Sequence, residues 1–211
     1  MGCLSLGCDR LFPERGSILP HDKHGDYVEM KDAHDAWEPF AIALLADAAK
    51  SYNCFVTYKQ LAEFVQDETG ITHKGLITNW IGELLGRVIA HCLENDIPHL
   101  SSLCVTSEGT VGNGYRAVLE AERIRARDAG DLYDDKETLE QLDDHAARTR
   151  LECYRHFGAE LPPGGGEPTL TPQAKASRDY RRAQAKRDAP PKVCPVHHTQ
   201  LPATGICDDC A

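Results

Sequence analysis

The chain has 211 residues, with 41% hydrophobic and 27% charged side chains and a net charge of −10. This length fits one medium-sized domain with accessory segments. No apolar run approaches the roughly 18 residues of a membrane span. The excess of acidic side chains argues against general polyanion binding. Nine cysteines without a visible export signal favour reduced thiols and a metal site over disulfides, so we expect a cytoplasmic protein that does not enter membranes.

The first helix is predicted to follow an irregular N-terminal arm. Residues 1–31 combine glycine, proline and scattered charges without a periodic pattern. Asp35 and Glu38 have the spacing of a capping box, and an apolar stripe at helical period follows. The stripe consists of Trp37, Phe40, Leu44, Leu45 and Ala48. Within the arm, Cys3 and Cys8 are spaced as a candidate ligand pair, although no second pair lies near them in the sequence.

Two further helices are predicted between residues 54 and 94. Residues 54–57 are β-prone, Thr57 can then cap a helix together with Gln60, and Gly70 is placed to end that helix. A longer helix is expected over 76–94, because apolar side chains recur there at helical period over a wide face. They are Ile77, Trp80, Ile81, Leu84, Leu85, Val88, Ile89 and Cys92.

A strand hairpin is predicted next. Residues 100–105 have the pattern of a strand, 107–109 of a turn and 110–111 of a short return strand. The order helix, short strand, helix, helix, hairpin is that of a winged helix, in which the longer helix enters the major groove and the hairpin is the wing. On such a core, Lys74 and Asn79 are the candidates for contact with DNA bases.

Residues 54–114 resemble the DNA-binding half of alkyltransferase-like proteins. The likeness is carried by Val56-Thr-Tyr58-Lys-Gln-Leu61-Ala62, with Ile81-Gly82, Pro98, Val105, Gly109 and Gly112 after it. The reactive Pro-Cys-His-Arg motif of that family would fall near residues 98–101, where this sequence has Pro-His-Leu-Ser, so alkyl transfer is not implied. The resemblance implies a winged-helix scaffold. The acidic surplus over residues 57–94 leaves open whether such a scaffold contacts DNA or protein.

Two more helices and a linker are predicted after the hairpin. Residues 115–128 and 138–157 have helical periodicity, and Gly130 separates them. The pattern ends at Leu161, where Pro162-Pro-Gly-Gly-Gly166 has the composition of a linker. The predicted fold class is α+β and mostly helical. It comprises an N-terminal arm (1–31), a winged-helix-like domain with a small β-hairpin and additional C-terminal helices (32–160), a flexible basic linker (161–192) and a zinc ribbon (193–211).

The last residues predict a structural zinc site. Cys194 and His197 form one short pair and Cys207 and Cys210 another, each with two residues between its members. Such pairs sit on tight turns, and the nine residues between His197 and Cys207 allow a hairpin that brings the turns together. Three thiolates and an imidazole suit Zn²⁺, and four protein ligands leave no position for a catalytic water. His198 is an alternative to His197, although it breaks the two-residue spacing.

This quartet resembles the short zinc ribbons at the ends of many bacterial and phage proteins. Ribbons of that kind bind nucleic acid or protein, and the resemblance is compatible with a phage or mobile-element origin. A tail this short buries too little apolar surface to fold alone, so the metal would supply the missing free energy.

A basic segment directly precedes the quartet. Residues 171–193 contain seven basic and two acidic side chains, a net charge of +5. The candidate phosphate contacts are Lys175, Arg178, Arg181, Arg182, Lys186 and Arg187. No phosphate-binding glycine loop, nucleophile elbow or His-Glu-x-x-His motif occurs, so an enzyme is not expected.

The expected function is therefore non-catalytic regulation in association with nucleic acid, with DNA as the expected partner and Zn²⁺ in a structural role. The alternative is a protein-interaction adaptor or inhibitor whose acidic body docks on a basic partner.

Overall fold

Six α-helices and one small parallel sheet form the part of the chain that the computed structural model describes, which is residues 19–128, 138–190, 193–201, 205–208 and 210. The elements are α1 (Met30–Ala48), β1 (Val56–Thr57), α2 (Tyr58–Thr69), α3 (Ile81–Glu94), β2 (Cys104–Val105), α4 (Arg116–Asp128), α5 (Leu139–His156) and α6 (Pro172–Asp188). Short 3₁₀ turns cover Ile77–Asn79, Leu100–Leu103 and Asn113–Tyr115. The prediction of a mostly helical α+β chain is confirmed.

The chain divides into two compact units, Met1–Thr171 and Pro172–Ala211. The first holds α1 to α5 and the sheet, and the second holds α6 and the C-terminal cysteines. Among the described residues, no helix combines the length and the apolar character that crossing a bilayer requires.

Helix α1 begins at Met30, five residues before the predicted cap. The residue before it, Glu29, makes no side-chain capping bond. Asp35, the predicted cap, lies inside the helix and pairs with Lys31 and Arg87. The capping box predicted at Asp35 is therefore wrong, because the helix has already begun five residues earlier.

The local signals of α2 are confirmed. The Gln60 N–H donates to the Thr57 hydroxyl at 3.2 Å, and the Thr57 N–H donates to the Gln60 side-chain oxygen at 2.8 Å. These two bonds form the predicted capping box and satisfy amides that the first turn leaves without partners. Gly70 ends the helix with φ +69°, a left-handed conformation that favours glycine.

The predicted helix over 76–94 is divided in two. A 3₁₀ turn covers Ile77–Asn79, and α3 starts at Ile81. Trp80 between them has φ −129°, outside the helical range, and its ring lies 4.7 Å from that of Trp37. The His34 ring N–H is 3.2 Å from the Trp80 carbonyl oxygen. Packing of the indole into the core interrupts the helix there.

The predicted antiparallel hairpin is wrong. Leu100–Leu103 is a 3₁₀ turn that buries both leucines, which stand three residues apart and therefore share one face. β2 pairs in parallel with β1, with Val56 opposite Cys104. Residues 110–111 form no strand in the described structure, and the wing of a winged helix is not seen there. The Thr106 N–H donates to the Thr110 carbonyl at 2.8 Å and closes a tight turn instead.

Two apolar clusters hold the first unit together. The larger lies between α1, α2, α3 and the turn before β2, and it includes Trp37, Leu45, Leu61, Leu84 and Leu100. The smaller joins α3 to α4, α5 and the segment before α4 through Ile89, Val111, Tyr115, Val118, Leu119, Leu142 and Ala146. Thr138 caps α5 through a second capping box.

Part of the segment predicted as a flexible linker lies against the first unit. The Tyr52 hydroxyl donates to the Glu167 carbonyl at 3.0 Å, and the Thr171 hydroxyl donates to the Gly109 carbonyl at 2.7 Å. The buried Arg150 donates one guanidinium N–H to the Ser102 carbonyl at 3.0 Å and another to the Thr169 carbonyl at 3.2 Å. The chain then continues as α6, so residues 172–188 of the predicted linker are helical.

Candidate metal centre

The first ligand pair sits on a tight hairpin turn. Val193 and Gln200 form an antiparallel bridge, and the Cys194 N–H donates to the Thr199 carbonyl at 2.8 Å. The His197 N–H points at the Cys194 sulfur, at a distance of 3.4 Å. His198 adopts φ +54°, and this left-handed residue reverses the chain directly after His197. The two-residue spacing between Cys194 and His197 therefore places both side chains on the inside of one turn.

The second pair is arranged in the same way. The Cys210 N–H donates to the Cys207 carbonyl at 3.0 Å, which closes a turn between the two cysteines. The Thr199 hydroxyl lies 3.7 Å from the Cys207 sulfur and connects the two turns. Sequence reasoning did not identify this threonine, since no motif marks a hydroxyl beside a thiol.

The four donor atoms are spaced as the corners of a small tetrahedron. The sulfurs of Cys194 and Cys210 are 3.7 Å apart. His197 Nδ1 lies 3.8 Å from the Cys194 sulfur, 3.5 Å from that of Cys207 and 3.3 Å from that of Cys210. Zinc–sulfur bonds of about 2.3 Å and zinc–nitrogen bonds of about 2.0 Å put neighbouring corners of a tetrahedron roughly 3.5–3.8 Å apart. The group can therefore hold a metal ion of that size, and the predicted quartet is brought together.

His197 rather than His198 joins the cluster. All four donors, with His197 Nδ1 among them, lie within 4.8 Å of one another, and His198 does not belong to this group. Of the two candidate histidines, the described structure therefore groups His197 with the three sulfurs. Cys3 and Cys8, the other candidate pair, lie outside the described residues.

The surroundings of Cys194 favour the thiolate form of its side chain, whereas those of Cys210 favour the neutral thiol. Backbone N–H groups of His197 and Val196 point at the Cys194 sulfur and lower the pKa of that thiol. A hydrogen bond with the Cys194 sulfur, together with charge repulsion between the neighbouring sulfurs, raises the pKa of the Cys210 thiol to about 11. A bound cation removes that repulsion and allows the thiols to lose their protons.

Among its described residues, the tail around the cluster has almost no apolar core. Cys194 and Cys207 are buried, whereas the side chains of Val193, Val196 and Ile206 are each more than half exposed. Hydrophobic burial therefore contributes little to this hairpin, and its shape depends on what the four donors bind. The other described cysteines are separate from the cluster. Cys92, Cys104 and Cys153 are buried, and Cys54 is exposed.

The basic residues predicted to contact phosphate belong to α6. Lys175, Arg181, Arg182, Lys186 and Arg187 are exposed, whereas Arg178 is only 7% exposed. On a helix with 3.6 residues per turn, Lys175, Arg182 and Lys186 lie on one face. Lys74 and Asn79, the residues predicted to reach DNA bases, are both exposed in the segment that precedes α3.

Comparison with protein-family models, with curated proteins and with solved structures finds no match to this chain. The function must therefore be argued from the geometry and the charges of the chain itself.

Proposed function

We propose that this chain is a non-catalytic regulatory protein that associates with DNA, and that its C-terminal unit carries a structural Zn²⁺ ion. The observation that carries the proposal is the combination, within one compact unit, of a basic exposed helix and a four-donor cluster. The cluster gives the tail a fixed shape, and the helix supplies the positive charge.

The donor set argues for zinc in a structural role. Three sulfurs and one imidazole nitrogen form a borderline-soft set that suits Zn²⁺ better than the oxygen-preferring Mg²⁺ or Ca²⁺. Four protein ligands complete a tetrahedral shell, so no position remains for a water or substrate. The role of the ion is therefore to stabilise the fold of the tail.

The charge pattern of α6 suits a phosphate backbone. The helix carries six basic and two acidic side chains, a net charge of +4. Lys175, Arg182 and Lys186 share a face, and the last lies eleven positions after the first, a rise of about 16 Å at 1.5 Å per residue. One strand of B-DNA places a phosphate roughly every 3.4 Å along its axis. The face therefore spans about five phosphates, enough for three ionic contacts.

Salt dependence tests this role of α6. The zinc-loaded full chain is titrated onto fluorescent duplex DNA at several salt concentrations, beside the variant Lys175→Gln/Arg182→Gln/Lys186→Gln. Loss of three phosphate contacts should lower the slope of log affinity against log salt by about 2.7. A matched control is Lys31→Gln/Lys50→Gln/Lys59→Gln, which removes three exposed lysines of the first unit, each paired with a carboxylate. The control should bind DNA with the wild-type slope.

A slope that is unchanged in the α6 variant would refute contact through this helix. If Lys74→Ala or Asn79→Ala then weakened binding, DNA would be bound near the start of α3 instead.

The alternative is an adaptor that binds a basic protein. It is favoured by the charge of the whole chain, −10, which leaves −14 outside α6 once the +4 of that helix is subtracted. Absence of DNA binding by the zinc-loaded full chain at low salt would favour this second function.

A further inference from the structure

The first unit contains a cavity of about 320 Å³ that takes no part in the proposed function. It lies between α3, the turn and strand at Leu100–Val105, and the segment 111–115, and Tyr58 of α2 also lines it. Pockets for small molecules begin at roughly this volume. The cavity is therefore large enough for a small organic molecule.

The lining is uncharged. Side chains of Ile81, Leu85, Ile89 and Val111 supply apolar walls, and none of the lining residues is acidic or basic. A charged ligand would lose its hydration there without gaining a counter-charge, which is strongly unfavourable. The occupant must therefore be neutral.

One buried hydroxyl on the wall has no partner. Ser101 is 4% exposed and lines the cavity, and its Oγ makes no hydrogen bond within the described structure. The adjacent Ser102 differs, because its Oγ lies 3.9 Å from the Cys153 sulfur. A buried hydroxyl without a partner is unfavourable, and a ligand group that bonds to it would remove that penalty. Ser101 therefore marks where the polar group of the occupant lies.

Three of the residues that line the cavity are glycines. Gly82 and Gly114 line it, and a Cβ atom added to either would meet nothing within 4 Å. At Gly112 an added Cβ would collide with the Tyr58 hydroxyl. Burial raises the pKa of Tyr58 to about 12, so its phenol stays neutral at physiological pH.

From the volume, the uncharged walls and the unpartnered hydroxyl, we propose that this cavity binds a small neutral molecule with an apolar body and one polar group that hydrogen-bonds to Ser101. The site belongs to the first unit and does not depend on metal or DNA binding by the second.

Benzamide and benzoate are suitable probes, because they share a ring and differ mainly in charge. Each is titrated into the isotope-labelled, zinc-loaded full chain while amide shifts are followed by NMR. Benzamide should give saturable shifts at residues around the cavity, and benzoate should bind at least about tenfold more weakly, since about 1.4 kcal/mol of desolvation is a factor of ten. No saturable shifts with benzamide, or equal affinity for both probes, would overturn the proposal.

Gly82→Leu places a side chain in the cavity and should abolish benzamide binding. Gly86→Leu is the matched control, since Gly86 is an exposed glycine one turn later on α3, has equally open space, and does not line the cavity. The proposal fails if Gly82→Leu binds benzamide as well as Gly86→Leu does.

Ser101→Ala provides a test that does not depend on whether Gly82→Leu folds. It should weaken benzamide about fivefold to tenfold, which corresponds to one hydrogen bond, and leave the binding of benzene unchanged. Unchanged affinity for benzamide in Ser101→Ala would overturn the role assigned to Ser101 and, with it, the proposal.

Discussion

Replacement of His197 should disrupt the metal centre, whereas replacement of His198 should not. The two histidines are adjacent, but only His197 directs a ring nitrogen at the three sulfurs. We expect His197→Ala to lower zinc affinity by at least about 100-fold, because loss of a residue that merely orients a ligand already costs 10–100-fold. His198→Ala should retain one zinc per chain with wild-type affinity.

The geometry also predicts the spectrum of the bound metal. The centre of a regular tetrahedron lies at about 0.61 of its edge length from each corner, so the 3.7 Å between the Cys194 and Cys210 sulfurs gives about 2.3 Å. X-ray absorption of the zinc-loaded chain should then show three sulfurs at about 2.3 Å and one nitrogen at about 2.0 Å. His197→Ala should lose the nitrogen, and His198→Ala should keep it.

Competition with a chromophoric chelator measures the affinity, and elemental analysis gives the stoichiometry. The assignment would be refuted by purified protein without a transition metal, by a fit with two nitrogens, or by metal retention in His197→Ala together with its loss in His198→Ala. Chelation should also collapse the amide signals of residues 193–210, because the exposed Val193, Val196 and Ile206 provide no core to replace the metal.

Three further outcomes concern the first unit. Leu45→Ala should lower the free energy of unfolding in urea by about 2–5 kcal/mol, whereas Leu76→Ala, at a site 73% exposed, should change it by less than about 0.5 kcal/mol. Thr57→Ala should lower the free energy of unfolding by about 1 kcal/mol through loss of the α2 cap. An unchanged free energy of unfolding in the same assay would contradict the capping geometry. Tyr58 keeps its proton to about pH 12 in the folded chain and loses it near pH 10 in the unfolded chain. The free energy of unfolding should therefore fall as the pH rises from about 10 to about 12, and it should fall less steeply in Tyr58→Phe.

Features that depend on neighbouring residues could be predicted from the sequence. The Thr57 cap, the left-handed Gly70 and the pairing of Cys194 with His197 each involve residues within four positions of one another. Their geometry follows from backbone sterics and hydrogen bonding of a single turn. The convergence of the two ligand pairs was predicted as well, since only a short hairpin separates them.

Features that depend on distant residues could not be predicted. The break at Trp80 and the parallel pairing of β2 with β1 involve contacts between segments tens of residues apart. The run 100–105 was predicted as one strand, yet its first four residues form a 3₁₀ turn that buries Leu100 and Leu103 in the core. No sequence pattern identifies the Ser101 hydroxyl. Its lack of a hydrogen-bond partner can be recognised only in the folded structure, where the segments that line the cavity meet.

The guanidinium of Arg150 determines where the polypeptide can be divided. This side chain is 4% exposed, burial lowers its pKa, and one of its two hydrogen-bond acceptors is the Thr169 carbonyl. A protein that ended in the Pro-Gly-rich stretch at residues 162–166 would lose that acceptor and leave the buried guanidinium with fewer hydrogen-bond partners. Removal of a partner from a buried charge typically lowers the free energy of unfolding by several kcal/mol. Anyone who wishes to crystallise or express the two units separately should therefore cut after Thr171.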